Sequence, residues 1–531
     1  MIKTVLKASA LSAALVLSLG AAGVPAFAQE IVYNRGNDTD PASLDQHKTS
    51  TIAEAHVLRD LYEGLVVYDT AATVIPGVAE SWEISEDGTV YTFRLRENAR
   101  WSNGDPVVAE DFVFALRRIQ DPATAAGYAN ILYPILNAAA INRGEMDKEE
   151  LGARAVDERT LEITLEAPTP YFLELLTHQT ALPLHRPSVE AHGDAFTRPG
   201  NLVSNGAFML QAFVPNDRIT LVANPHFHAA DEVSIDVVNY IPFEDRAACV
   251  RRFEAGEVQS CSDLPTEQLA DLRGRLGDQV RIAPYLGIYY LPVKTTKPVL
   301  SDPRVRRAIS LVIDREFLAE EIWSGTMIPA YSLVPPGIAN YVDGVQLPYA
   351  DEDILDREDR ARELLAEAGV AEGSLTVDLR YNTSENNRNT MTALGEMLRS
   401  IGINSTLTEM EGATYFPFLR ADGDFDIARA GWIGDYNDPQ NFLFLYESDN
   451  LGFNYPRWAN EDYDALMAQA AQETDLDARA EILADAERLF LEHVPAIPIL
   501  YYTSRSLVSP RLQGWEDNIM NVHGTRFLSL N

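Results

Sequence analysis

"DREDRARELLAEAGVAEGSLTVDLRYN", residues 356–382, changes period at its middle. Its first half has the spacing of an amphipathic helix that Gly369 ends. Beyond that glycine, apolar residues fall at every second position through Leu375, Val377, Leu379 and Tyr381, the pattern of a strand over 375–381. The same order then repeats: "NTMTALGEMLRSIG" is a helix stopped by Gly402, and "INSTLTEM" is a strand. Helices alternating with strands imply an α/β fold with a partly parallel sheet.

Outward from this stretch, "TVYTFRLR" (89–96) and "TLEITLEAP" (160–168) alternate like strands. "DPRVRRAISLVIDREFLAEEIW" (302–323) predicts a helix with Asp302 as N-cap, Pro303 at the first turn, and Val305, Ile309, Val312 and Ile313 on one face. No repeat or low-complexity linker marks a domain boundary, although 531 residues are enough for two or more domains.

The first residues predict a compartment. Lys3 and Lys7 precede a small-apolar run over 8–20, and Ala26-Phe27-Ala28 follows, which is a secretory signal peptide cleaved after Ala28. The apolar run is too short to span a membrane, and no cysteine stands at the cut, so the mature chain is expected to be soluble, extracytoplasmic and not a lipoprotein. The formal charge is −36, more negative still once Lys3 and Lys7 are removed, and it disfavours nucleic acid or an anionic membrane as a partner. The two cysteines, Cys249 and Cys261, are expected to pair in an oxidising compartment; two separate buried thiols are the alternative, and two cysteines alone do not make a metal site.

Common catalytic signatures are absent: there is no H-E-x-x-H, no G-x-S-x-G elbow and no phosphate-binding G-x-x-x-x-G-K-[ST] loop. His226 and His228 in "PHFH" are too few for a zinc site. Tyr285, Tyr289 and Tyr290, Tyr501 and Tyr502, and Trp432 with Tyr436 form aromatic clusters that suit a ligand cleft or a core equally. In "ARAGWIGDYNDPQNFL" (428–443), Arg429 and Asp435 are charges set among small and aromatic residues, where an unpaired charge is costly.

In order along the chain, "DLYEGLVVYD", "PGVAESWEISEDGTVYTFRLRENARWSNGDPVVAEDF", "RAISLVIDRE", "ARELLAEAG" and "DFDIARAGWIGDYNDPQNFL" resemble the family 5 solute-binding proteins of ABC importers, in particular its oligopeptide- and murein-peptide-binding members. The resemblance implies a type II periplasmic binding protein fold: two lobes on a hinge, plus a small inserted third domain. Transferred here, domain I takes 29–62, 188–286 and 503–531, the inserted domain II takes 63–187, and domain III takes 287–502. The hinge crossings then fall at the tyrosine clusters, which places Tyr285, Tyr289 and Tyr502 at the cleft.

The resemblance also implies site residues. Asp435 binds a peptide's α-amino group, and Arg429 and Arg420 receive carboxylates, with an internal Arg429–Asp435 ion pair as the alternative. Ser50, Thr51, Ile52, Gly431 and Ile433 are expected to bond the peptide main chain, and Tyr128 and Trp432 to line the cleft. Trp323 and Asn387 stand where the oligopeptide binder has a lysine and a histidine, and Gly287 and Ile433 replace that binder's disulfide. The implied function is a monomeric periplasmic receptor of a Gram-negative cell that delivers short peptides to an inner-membrane ABC permease, with no cofactor and no catalysis. Murein peptide, a metal chelate, haem, a sugar or an opine as ligand, sensing without transport, and an extracytoplasmic hydrolase are the alternatives.

Overall fold

The computed structural model describes residues 30–531 apart from Ser50 and Glu244. The expected signal peptide and its cleavage site lie outside the described residues, as does Ser50.

Two 13-residue strands, Val280–Pro292 and Ala496–Val508, run antiparallel through a nine-stranded mixed sheet. Strand Ala430–Ile433 adds to Val280–Pro292 and forms one edge of that sheet. On the other side Ser260–Cys261, Val32–Asn37, Val237–Pro242, Arg218–Ala223 and Phe208–Val214 follow in order. The pairing of the two long strands shifts register twice: Pro284 faces Thr503 and Ile288 faces Tyr501, so Tyr285, Leu286 and Gly287 stand against Tyr502 alone, and Ile499 is passed over between Tyr289 and Tyr290. The bulged backbone is held elsewhere, with Leu286 N–H on the Ile519 carbonyl and Gly434 N–H on the Leu286 carbonyl.

The stretch over 356–410 folds as its periods predict. Helix Ile354–Glu367, strand Thr376–Asn382, helix Glu385–Ser400 and strand Asn404–Met410 follow one another, and the two strands pair in parallel. Gly369 and Gly402 stand just past the two helices at φ of 76° and 80°, a left-handed conformation that glycine adopts without strain. A separate antiparallel sheet of Ala79–Ile84, Val90–Leu95, Thr160–Thr164 and Ala153–Asp157 carries the two other predicted strands and makes the inserted domain.

One expectation changes. The helix expected over 302–323 ends at Leu311, and a new turn starts at Arg315–Phe317. Asp314 accepts the Phe317 N–H and so caps a second start, while the fully buried Arg315 guanidinium bonds the carbonyls of Ser310 and Ile313 that the break frees.

The apolar interior divides in two main bodies. One runs from Leu286 to Tyr501; the other joins Tyr33, Leu58 and Tyr240 to Trp101, Phe112 and Leu161, so the inserted sheet and the first lobe share a core. Cys249 and Cys261 are bonded and tie helix Arg246–Glu254 to strand Ser260–Cys261. A Cβ at Gly36 would lie 2.5 Å from Cys249 Sγ and 2.9 Å from the Ser260 carbonyl oxygen, so only glycine fits beside the bond. Reduction, or joint replacement Cys249→Ser and Cys261→Ser, is expected to lower the unfolding free energy by about 3 kcal/mol. Urea unfolding with and without reductant measures this, and an unmoved midpoint would leave the bond without a stabilising role. Among the described residues no helix is long and apolar enough to cross a membrane.

Candidate ligand cleft

Residues 427–443 cross from one sheet to the other and are fixed at both ends. Ile427–Ala428 pairs in parallel with Thr376–Asn382; Arg429 N–H then bonds the Arg380 carbonyl, and its carbonyl accepts from the Tyr415 hydroxyl at 2.7 Å. The next residues join the large sheet, with Gly431 opposite Tyr289 and Ile433 opposite Gly287. At the far end Arg479 holds Asp438 through two bonds of 2.7 and 2.8 Å, with side chains 1% and 0% exposed. Asp438 also accepts the Gln440 N–H at the start of helix Gln440–Leu443.

Between these anchors sits Asp435. Its Oδ2 accepts the Tyr128 hydroxyl at 2.5 Å, and no Lys, Arg or His among the described residues forms an ion pair with it. Burial pushes its carboxyl up, and the Tyr128 bond pulls it the other way. Tyr128 packs edge-on to His178 at 5.4 Å, and Tyr436 stacks on Tyr171 at 5.0 Å, so the inserted domain supplies one wall. Tyr285, half-buried in the bulge, lies within electrostatic reach of Asp435.

Arg429 has its own surroundings. One terminal nitrogen donates to the Tyr502 hydroxyl at 2.7 Å, the guanidinium lies 4.7 Å over the Tyr289 ring, and Nε is buried without a partner. No carboxylate among the described residues pairs with it, so the internal Arg429–Asp435 pair does not form here. A Cβ at Gly431 would stand 2.5 Å from the Tyr502 hydroxyl oxygen, which is why a glycine holds that place.

Several expected ligand residues are placed otherwise. Tyr289 is fully buried and supports Arg429 from beneath, bonded to Asn387 Oδ1 at 3.3 Å. Asn387 is itself buried and bonds Asn382, and Trp323 meets Tyr289 edge-on while its indole N–H goes to Thr390. Trp432 belongs to the packing of its lobe: its N–H bonds Asn441, and Phe444 and Phe453 meet its ring. Arg420 is exposed at the end of helix Gly412–Arg420, beside Tyr455 and without contact to Arg429 or Asp435. Thr51 is the N-cap of helix Ile52–Leu61, so its N–H goes to Glu54, its hydroxyl accepts the Glu54 N–H, and its carbonyl accepts from Ala55. Its main chain is therefore already engaged, whereas Ile52, next to it, is 51% exposed. Gly431 and Ile433 lie on a sheet edge whose outer side has no strand partner among the described residues.

The Asp438–Arg479 clamp and the Tyr171–Tyr436 stack escape sequence reasoning. The D-P pair at 438–439, a helix-start signal, was the one trace of the first.

Two lobes joined by continuous strands, with Asp435 and Arg429 lacking counter-charges where the inserted domain meets the second lobe, define a hinged binding protein. Residues 73–453 match the bacterial extracellular solute-binding proteins, family 5 (middle region), and the chain belongs to that family. It is 36% identical to the periplasmic oligopeptide-binding protein OppA of Salmonella typhimurium, over 98% of this chain and 97% of that one. It is 36% identical to the periplasmic murein peptide-binding protein MppA of Escherichia coli (92% and 91% covered), and 37% identical to the probable deoxycholate-binding periplasmic protein YgiS of Escherichia coli (94% and 93% covered). Among solved structures, the unliganded open form of MppA superposes with a TM-score of 0.88 at 34% identity, covering 95% of this chain and 98% of that one. The Haemophilus influenzae OppA complex with the peptide RPPGFSPFR gives 0.74 at 34% identity, covering 95% and 99%. The chain thus superposes better on that open form than on that peptide complex.

Proposed function

We propose that this chain is the periplasmic receptor of an ABC importer and that it captures short peptides with a free amino group. The observation that carries this reading is Asp435: a half-buried carboxylate, held above its ordinary pKa by burial, with a tyrosine hydroxyl but no cation. A peptide ammonium supplies the missing charge, and closure of the lobes then excludes water from the pair and strengthens it. The sheet edge at Gly431–Ile433 takes the peptide main chain as an added strand, which reads no side chain. Arg429, with no carboxylate of its own, takes the peptide's carboxyl end or a side-chain carboxylate.

The lobes are assigned as 29–62, 188–286 and 503–531 for the first, 63–187 for the insertion and 287–502 for the second. The shared core of the first two and the bulge at Tyr285–Gly287 support these limits. We assign the chain no turnover: the family members matched are binding proteins, and a monomer that hands its ligand to an inner-membrane permease needs no catalyst.

The test is to purify the protein from periplasm, denature it and identify what it releases by mass spectrometry. A heterogeneous set of short peptides is expected. A single non-peptide compound, such as a steroid acid, would overturn the reading. Affinity also has an expected pH dependence. The free site holds the Asp435 carboxyl above its ordinary value, and an ammonium binds only the ionised form. Affinity is therefore full above that raised pKa and falls as pH drops through it, and Asp435→Asn is expected to remove the slope. A wild-type profile equally flat would place the amine elsewhere.

A further inference from the structure

Helix Ile52–Leu61 carries Ile52, His56 and Arg59 on one face, at i, i+4 and i+7, and Ile52 and His56 line a pocket with Tyr285. Arg59 is half-buried, and none of its nitrogens has a hydrogen-bond or ion-pair partner among the described residues; Nε is shut off from solvent as well. Arg357, on the second lobe, is likewise buried without a side-chain partner, and Arg35 and Arg479 keep Nε unpaired, but other buried arginines have terminal nitrogens that are held. Arg479 grips Asp438, Arg306 bonds the carbonyls of His493 and Leu300, and Arg35 bonds the His523 carbonyl.

The groups in electrostatic reach of Arg59 are tyrosines 68, 240 and 285, histidines 56 and 178, and a second cation, Arg35; burial pulls the guanidinium below its ordinary value. Arg59 also lines a pocket with Asp60 and Glu63, but both of those carboxylates are engaged. Asp60 accepts the Tyr240 hydroxyl and the Thr525 N–H, and Glu63 accepts from Arg526 and meets His228 at 2.7 Å. The protein thus holds a desolvated cation for which it provides no anion, an arrangement that is costly unless a ligand completes it.

Its position says which part of a ligand. Tyr285 feels both Arg59 and Asp435, and His178, which feels Arg59, packs on the Tyr128 ring whose hydroxyl bonds Asp435. Arg59 therefore stands one aromatic neighbour away from the amine anchor, on the first lobe, while Arg429 serves the second.

We propose that Arg59 is a subsite for a carboxylate carried within the first two residues of the bound peptide, so that the receptor favours ligands with an acidic group close to their free amine. This rests on the peptide-receptor reading above. An α-linked acidic peptide from protein and a γ-linked acidic peptide from cell wall share that chemistry.

Calorimetry with the purified protein tests it, using Ala-Glu-Lys, Ala-Gln-Lys and the tripeptide with γ-linked D-glutamate in the middle. At least one acidic peptide is expected to bind roughly tenfold or more tighter than the glutamine peptide, and which one does so names the source. In Arg59→Gln that ratio is expected to fall to about one, and in Arg59→Lys to be partly kept, since the charge remains. Binding of all three peptides with equal affinity to the wild-type protein overturns the subsite while leaving the peptide-receptor reading intact. A ratio retained in Arg59→Gln overturns it too. Binding of none of them removes the reading on which it rests, and the subsite with it. The wild-type ratio decides the matter even if a variant does not fold.

Discussion

Asp435→Ala weakens the binding of an unmodified short peptide by about 3 to 5 kcal/mol, the range seen when one partner of a buried charge pair is removed. The reason lies in the closed state. In the structure the half-buried Asp435 carboxylate is only partly removed from water, and the Tyr128 hydroxyl satisfies part of it. When the lobes close, a ligand ammonium against alanine has lost water and gained no counter-charge. N-acetylation of the peptide removes the other partner, so it is expected to harm the wild-type protein comparably and the variant hardly further. Calorimetry on the four combinations measures the coupling. Additive effects of variant and acetylation would show that Asp435 does not hold the amine.

The second large effect is on folding. Arg479→Met leaves the Asp438 carboxylate, 0% exposed, without its cation, and is expected to destabilise the chain by about 3 to 5 kcal/mol. Asp438 also caps helix Gln440–Leu443, and Arg479 lies 5.6 Å over the Tyr171 ring that stacks on Tyr436. The loss therefore loosens the turn that presents Asp435, and peptide affinity falls with stability. Adding Asp438→Asn to Arg479→Met is expected to recover part of the stability, because the buried charge is then gone. Denaturant unfolding of the single and double variants checks this, and a single variant as stable as wild type would mean that the pair is hydrated and structurally idle.

What the sequence discloses is local. The alternation over 356–410 is legible because Gly369 and Gly402 mark where one period ends, and the later parallel pairing follows from helices set between strands. The break at Asp314 was not legible, since Asp314 would sit on the polar side of an unbroken helix while Phe317 and Leu318 carry the apolar period on from Ile313. Asp435 and Arg429 stood out as charges among small residues, but their separation from each other rests on Tyr128 and Tyr502, 307 and 73 residues away in the chain. Arg59 is one cation in an ordinary helix, and only the folded surroundings show that the nearby carboxylates already have other partners. Thr51 followed the resemblance to the cleft, yet its capping box engages its main chain first.

The paired strands Val280–Pro292 and Ala496–Val508 make the link between the lobes a flexure, not a pivot. Both strands run on into each lobe, so shear and separation are resisted by the ladder along its whole length, and twist or bend concentrates where Tyr285, Leu286 and Gly287 face Tyr502 alone. Opening and closing are then expected to flex the ribbon without rebuilding a loop. The resting angle then reflects the ribbon together with the Tyr128–Asp435 bond and the Tyr171–Tyr436 stack beside it, and a ligand with unequal affinity for the two angles shifts it.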